Sequence, residues 1–263
     1  MTDVVSPPAE FSKHRLATEA RFDAARIEQC AIAGHHVTLA SDPDVFRPTL
    51  TTSFLTEQVL LDDVAGLRAL DLGCGVGPIA IVLAKAGAKH VLAIDLMPRA
   101  CELALFNAEI NGVADRVTVS QGDLFSPAVG KKFEVIVDDV SGVADTVARL
   151  SRWFPRDVPL AGHDGSLLTV RMLRSASEHL TPGGKLFFPV LSLSNRMRIL
   201  EAGSAVFDGR LECVAKKQVP FSPELKANLP TLVELRERGI IHFDEVRSRC
   251  FWTLEIYRAL GAS

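Results

Sequence analysis

Four short stretches set chemically capable residues at the ends of apolar runs. "FEVIVDDVSG" carries Asp138 and Asp139 directly behind Val135-Ile136-Val137, a β-branched run with the look of a strand buried on both faces. A buried ionised carboxylate is costly unless it is paired or hydrogen-bonded, so two in succession need a reason. "LDLGCGVG" spaces Gly73, Gly75 and Gly77 as G-x-G-x-G behind Asp71, with Cys74 a small residue inside the loop. Such glycines permit a tight turn and close approach to a ligand, and the helix beyond offers free N–H groups. "AIDLM" supplies Asp95 and Leu96, 24 residues beyond Asp71, where a carboxylate can accept both hydroxyls of a ribose or cap the next helix. "QGDLF" supplies Gly122, Asp123 and Leu124; Asp123 could accept from an adenine amino group or merely close a turn. Pro78 stands where the dinucleotide fingerprint wants a small third residue, and no Lys-Ser/Thr follows at the spacing of a P-loop.

Other residues invite a functional and a structural explanation side by side. His163-Asp164, between Gly162 and Gly165, offers a general base on a mobile loop, or a solvated histidine beside a helix-capping aspartate. Ser192, Ser194 and Asn195 follow the fifth strand and could face a substrate, or Asn195 could cap the next helix. Trp153 and Phe154 suit a substrate wall or a loop anchor. His35-His36 suits an ordinary hairpin, since metal ligation needs partners the sequence does not identify. One of Asp138 and Asp139 could simply cap a helix near 143–151.

Positioning these residues takes alternating strands and helices. Strands are expected over 67–72, 89–96, 116–121, 133–138 and 185–193. Pro78 and Pro98 open helices that Gly87 and Asn111-Gly112 close. A further helix lies within 164–184, ahead of Pro182-Gly183-Gly184. Such alternation implies a mostly parallel α/β sheet with right-handed crossovers and helices on both faces. Two late strands, 211–221 and 249–260, would form an antiparallel hairpin carrying a helical insertion. Ahead of the sheet, residues 12–33 are expected as an amphipathic helical arm, and about the first ten residues as disordered.

Composition sets outer bounds. The chain has 263 residues, 48% hydrophobic and 23% charged, with a net charge of −3. Nothing there advertises a polyanion partner; a nucleic-acid substrate would need a local basic patch. Five scattered cysteines without a CxxC pair suit reduced thiols in a cytoplasmic protein rather than a disulfide frame. The N-terminus lacks the apolar core of a signal peptide, and no stretch is long enough to span a bilayer.

Taken together, "LDLGCGVG", "AIDLM", "QGDLF" and "VIVDD" resemble the class I S-adenosylmethionine (SAM)-dependent methyltransferases, over roughly residues 46 to 260. The resemblance implies a Rossmann-like seven-stranded, mostly parallel sheet with an antiparallel last strand. It implies SAM as cofactor: Gly73, Cys74, Gly75 and Gly77 along the methionine moiety, Asp71 near its amino group, Asp95 and Leu96 at the ribose, and Gly122, Asp123 and Leu124 at the adenine. "VFRPTLTTSFL", "NAEINGVADRV" and "GDLFSP" are similar, more narrowly, to the branch of the release-factor glutamine and small-domain RNA methyltransferases. That branch carries Asn-Pro-Pro-Tyr where this chain has Asp138-Asp139-Val140-Ser141, a departure that argues against glutamine-amide and adenine-amine acceptors.

Residues 46–263 are accordingly expected to form a SAM-binding methyltransferase domain with a helical insertion near 222–249, behind a helical arm and lead-in hairpin over 1–45. The expected activity is methyl transfer to a nitrogen, or next an oxygen, of a small molecule or of a peptide or protein group. Asp138 would accept from the cofactor or anchor the site; Asp139 would orient the acceptor or take its proton; His163 is a further candidate base. Two alternatives keep the cofactor: aminocarboxypropyl transfer or cyclisation releasing methylthioadenosine, and a non-catalytic SAM-binding subunit. RNA ranks below small-molecule chemistry, no membrane is expected, and the amphipathic arm offers a surface for a homodimer.

Overall fold

The computed structural model describes residues 26–151, 153–155 and 158–262. It begins with a hairpin, β1 (Arg26–Ile32) and β2 (His35–Ser41), paired in register from Arg26↔Ser41 to Ile32↔His35. The helical arm expected over 12–33 is therefore corrected at its end, because 26–32 is strand; residues 12–25 lie outside the described residues. Ala33 and Gly34 take positive φ at the turn, and His35-His36 are hairpin residues. Helix α1 (Leu50–Val59) follows, with Thr49 as its N-cap.

The main sheet then assembles β3 (Arg68–Leu72), β4 (His90–Asp95), β5 (Val117–Gln121), β6 (Phe133–Asp138), β7 (Leu180–Leu191), β8 (Leu211–Pro220), β9 (Asp244–Val246) and β10 (Arg249–Leu260). Its order is β5-β4-β3-β6-β7-β10-β8, with β9 on β10. Pairs among β3 to β7 are parallel, whereas β10 runs antiparallel to both β7 and β8. This is the expected mostly parallel sheet with an antiparallel last strand. Helices α2 (Pro78–Lys85), α3 (Pro98–Ile110), α4 (Asp145–Ser151), α5 (Leu167–Ala176) and α6 (Arg196–Phe207) fill the crossovers. The short α7 (Pro223–Ala227) and α8 (Leu229–Glu237) lie between β8 and β9.

Alternation along β3 shows how the sheet is held. Ala69 joins an apolar cluster with Ile79 and Leu83 of α2. Leu70 and Leu72 point the other way, into a cluster with Met172 and Leu173 of α5. Burying each such leucine stabilises by about 1.5–3 kcal/mol. β7 starts at Leu180, earlier than the expected 185, because Phe133 pairs with Leu180 before the register shifts to Val135↔Lys185. The Pro-Gly-Gly step is an irregularity inside a strand rather than a loop before one.

Two asparagines fasten the lead-in hairpin to the domain. Asn107 of α3 is fully buried. Its Oδ1 accepts from Ala40 N at 2.7 Å, while its Nδ2 donates to Ala40 O at 3.0 Å and to Val76 O at 2.8 Å. One turn on, Asn111 repeats the exchange with the backbone of Thr38. The amides imitate the next rung of a β-ladder, fixing β2 against the glycine loop. Replacing Asn107 with alanine leaves three backbone groups without partners, and we expect a loss of about 3 kcal/mol, read as a lower urea midpoint.

Candidate active site

β3 and β6 are parallel neighbours on either side of the point where strand order reverses, the place where open α/β sheets bind ligands. Leu72 is in register with Asp138, and Asp139 N donates to Leu72 O at 3.0 Å. The glycine loop follows β3 and residues 139–142 follow β6, so their contact shapes the crevice. Gly73 has φ +70°, and a Cβ there would lie 2.9 Å from Val140 Cγ1 and 3.1 Å from Val140 Cα. Gly77 has φ +85°, and a Cβ would meet Ala104 of α3 at 3.1 Å. Both positions demand glycine, one for the β6 loop and one for helix packing.

A cavity of about 400 Å³ opens above these strand ends. Gly73, Gly75, Asp95, Leu96, Gly122, Asp123, Leu124 and Asp139 all line it. Five of the remaining candidates stand elsewhere. Asp71 and Asp138 are buried beneath the loop floor; Cys74 is buried in the loop; Gly77 packs on α3. His163 faces Arg238, its Nε2 3.4 Å from the Nη2 of that guanidinium.

Backbone contacts tie the His163 loop to the start of α4. Asp145 N donates to Gly162 O, and a Cβ on Gly165 would fall 2.4 Å from Ala144 N. Asp164, the expected cap of α5, does not hold that position, which belongs to Ser166. Instead Asp164 accepts from Ser166, Asn195 and Arg198, binding the loop to α6. Ser192 and Ser194 are buried and spend their hydroxyls on backbone oxygens of His242 and Leu191. Asn195 caps α6 by accepting from Arg198 N.

The acids differ in their settings. Asp95 accepts from Gly75 N at 2.8 Å through Oδ2 and from Met97 N at 2.9 Å through Oδ1, so it braces the glycine loop from β4. Burial raises its carboxyl, with the N–H groups of Met97, Gly75 and Leu96 pulling the other way. Asp123 is half exposed and paired with Arg171 at 2.7 Å. Asp71 accepts from Ala80 N at 3.0 Å. Burial, then the charge of Asp139, pushes it up to about 8. Burial and then Asp139 raise Asp138 well above the carboxylate range. Burial lifts Asp139 to about 7, offset by a hydrogen bond from Thr52.

These raised carboxyls make stability depend on pH. The folded chain keeps protons on Asp71, Asp138 and Asp139 that an unfolded chain sheds near 3.8. The native state therefore binds more protons between those limits, and ligand-free protein loses stability as pH rises from about 4 to about 8. Differential scanning fluorimetry across that window should show a falling melting temperature. Asp71→Asn should flatten the slope. A melting temperature that climbs over the same range would contradict the raised carboxyls of these acids.

Phe46 and Trp252, which the sequence did not single out, help to complete the cavity wall. Phe46 stacks on Phe154 with ring centroids 5.1 Å apart, and Trp153 meets Trp252 at 5.9 Å. All four line the cavity, so the aromatic pair expected after the fourth strand forms part of a wall. Thr52 donates to Asp139 Oδ2 at 2.8 Å across 87 positions of sequence, a link that no local pattern announces.

A doubly wound sheet with an antiparallel last strand, a glycine loop at its switch point and acids at successive strand tips defines an α/β enzyme class that binds a nucleoside-bearing cofactor. The chain belongs to the methyltransferase-domain family, whose pattern matches residues 63–227, and is a SAM-dependent methyltransferase. It is 33% identical over 200 residues to the release factor glutamine methyltransferase of Cereibacter sphaeroides, covering 72% of this chain and 70% of that one. The corresponding enzyme of Rhodopirellula baltica is 30% identical over 165 residues, and there the match spans only 56% of the relative's length. A 16S rRNA methyltransferase of T. thermophilus, solved with AdoMet and guanosine, has the same fold at a TM-score of 0.57 and 16% identity, over 90% of this chain and 50% of that one.

The cavity suits this cofactor. Asp95, Asp123 and Asp139 present acceptors for hydroxyl and amino groups and a negative wall for a sulfonium, and no Lys or Arg lines it among the described residues. Among those residues, no helix is long and apolar enough to cross a membrane.

Proposed function

We propose that this chain transfers a methyl group from SAM to a nitrogen of a protein or peptide group or of a small amine, with oxygen as the second choice of acceptor. The observation that carries this is Asp139: a carboxylate on the cavity wall, held by Thr52 and raised to about 7. SAM would lie along Gly73 and Gly75, with Asp95 and Leu96 at its ribose and Gly122 to Leu124 at its adenine, and it supplies the electrophilic methyl group. Asp138 and Asp71 lie below as buried acids that a cationic ligand favours in ionised form.

The chain's own part is to place the acceptor and manage its proton. A nitrogen can attack only with a free lone pair, so an ammonium must first lose a proton. A carboxylate titrating near neutrality can attract the cation and then accept that proton. The aromatic wall excludes water from the same space and holds the acceptor in line. The named relatives act on glutamine in release factors. The Asp138-Asp139 pair replaces the amide grip of that branch, which favours a more basic nitrogen here.

Free cysteines throughout agree with a cytoplasmic setting, a protein or small-molecule acceptor ranks ahead of nucleic acid, and a second copy is the candidate partner. Mass spectrometry of the protein with SAM and a panel of amines and peptides tests the function. S-adenosylhomocysteine with a methylated acceptor is expected. Methylthioadenosine would instead mark attack at another sulfonium carbon, and intact SAM under saturating binding would mark a subunit without catalysis.

A further inference from the structure

We infer that Thr52 is a positioning residue, whose hydroxyl fixes the orientation and the charge state of Asp139. This rests on Asp139 being the acceptor-side carboxylate. Thr52 is the third residue of α1 and only 2% exposed. Thr49 N donates to Thr52 Oγ1 at 3.1 Å. With that N–H bound to its oxygen, the hydroxyl has one proton to give, and it is directed to Asp139 Oδ2 at 2.8 Å. One carboxylate oxygen is thereby committed, leaving Oδ1 for the acceptor.

The helix that carries Thr52 is itself firmly seated. Leu55 and Val59 are fully buried, and Thr56 Oγ1 donates to Thr52 O at 2.6 Å. The hydroxyl thus approaches the strand tip on a rigid element, as a positioning group should. Its electrical setting makes the bond matter. Asp138 adjoins Asp139 on its own chain segment, Asp71 faces it from β3, and Asp95 acts on Asp71 from β4. All of these are acids and favour the protonated form of one another, whereas a donated hydrogen bond favours the carboxylate. Thr52 supplies that bond.

Thr52→Val keeps the shape and removes the donor, and Thr52→Ser keeps the donor. With ¹³C-labelled aspartate in the full chain, and Asp139→Asn to identify the signal, Thr52→Val should move the Asp139 titration midpoint upward by about one on the pH scale. Thr52→Ser should restore it, and S-adenosylhomocysteine affinity should stay within about threefold by calorimetry. Where turnover is measured, the acidic limb of kcat/KM should move with the same midpoint. A purely structural role would lower activity evenly across pH. An unchanged midpoint in Thr52→Val overturns the inference. Should that variant not fold, the wild-type Thr52 hydroxyl proton gives the second measurement: its NMR signal should follow the titration of Asp139, and a signal indifferent to pH also overturns it. Failure to find any methylated product, with the titration shift intact, would count against the proposed function and not against Thr52.

Discussion

Replacing Asp95 with alanine should weaken S-adenosylhomocysteine binding by about a hundredfold or more. In the protein itself this carboxylate takes two backbone hydrogen bonds, from Gly75 N at 2.8 Å and Met97 N at 2.9 Å. Hydrogen bonds to a charged group contribute about 1.5–3 kcal/mol each, and about 1.4 kcal/mol is tenfold in affinity. Alanine would release the glycine loop from β4 as well as remove the acceptor placed for the ribose. Asp95→Asn should fall between the two, since it keeps an acceptor oxygen without the charge. Calorimetry on folded variants decides the matter. A loss smaller than about threefold for Asp95→Ala would mean that the ligand does not use this strand tip.

Asp139→Asn should lower kcat by a factor of about 10² to 10³ while leaving S-adenosylhomocysteine affinity nearly unchanged. General acid–base assistance contributes about 10² to 10⁴ in rate, and the amide keeps the volume and the contact with Thr52. The pH dependence provides the sharper signature. Wild-type activity should rise as Asp139 ionises near 7, and the variant should lose that limb. Retained kcat with an unaltered pH profile would reassign Asp139 to a structural role. An equal fall in cofactor affinity would place it on the cofactor side instead.

Legibility in the sequence followed the range of the interaction. The parallel strands were plain because β-branched and aliphatic runs such as Val135-Ile136-Val137 end in turn residues, and Pro78 and Pro98 mark helix starts. The candidate cofactor-side acids were legible for a related reason: Asp71, Asp95 and Asp123 each lie at or just beyond a strand end that the local pattern locates. What stayed hidden depends on partners distant in sequence. Thr52 meets Asp139 across 87 positions, and Asn107 reaches Ala40 across 67. Residues 26–32 are strand rather than the expected helix because their strand state comes from pairing with β2, not from an alternating buried face. The need for glycine at 165 was hidden in the same way, since it comes from the close approach of Ala144.

A co-crystal with S-adenosylhomocysteine tests the central claim most directly. We expect ligand density in the crevice between the ends of β3 and β6, with Asp95 within about 3 Å of a ribose hydroxyl and Asp139 beyond the sulfur. Density that leaves Asp95 remote from the sugar, or Asp139 on the adenine side, would contradict it.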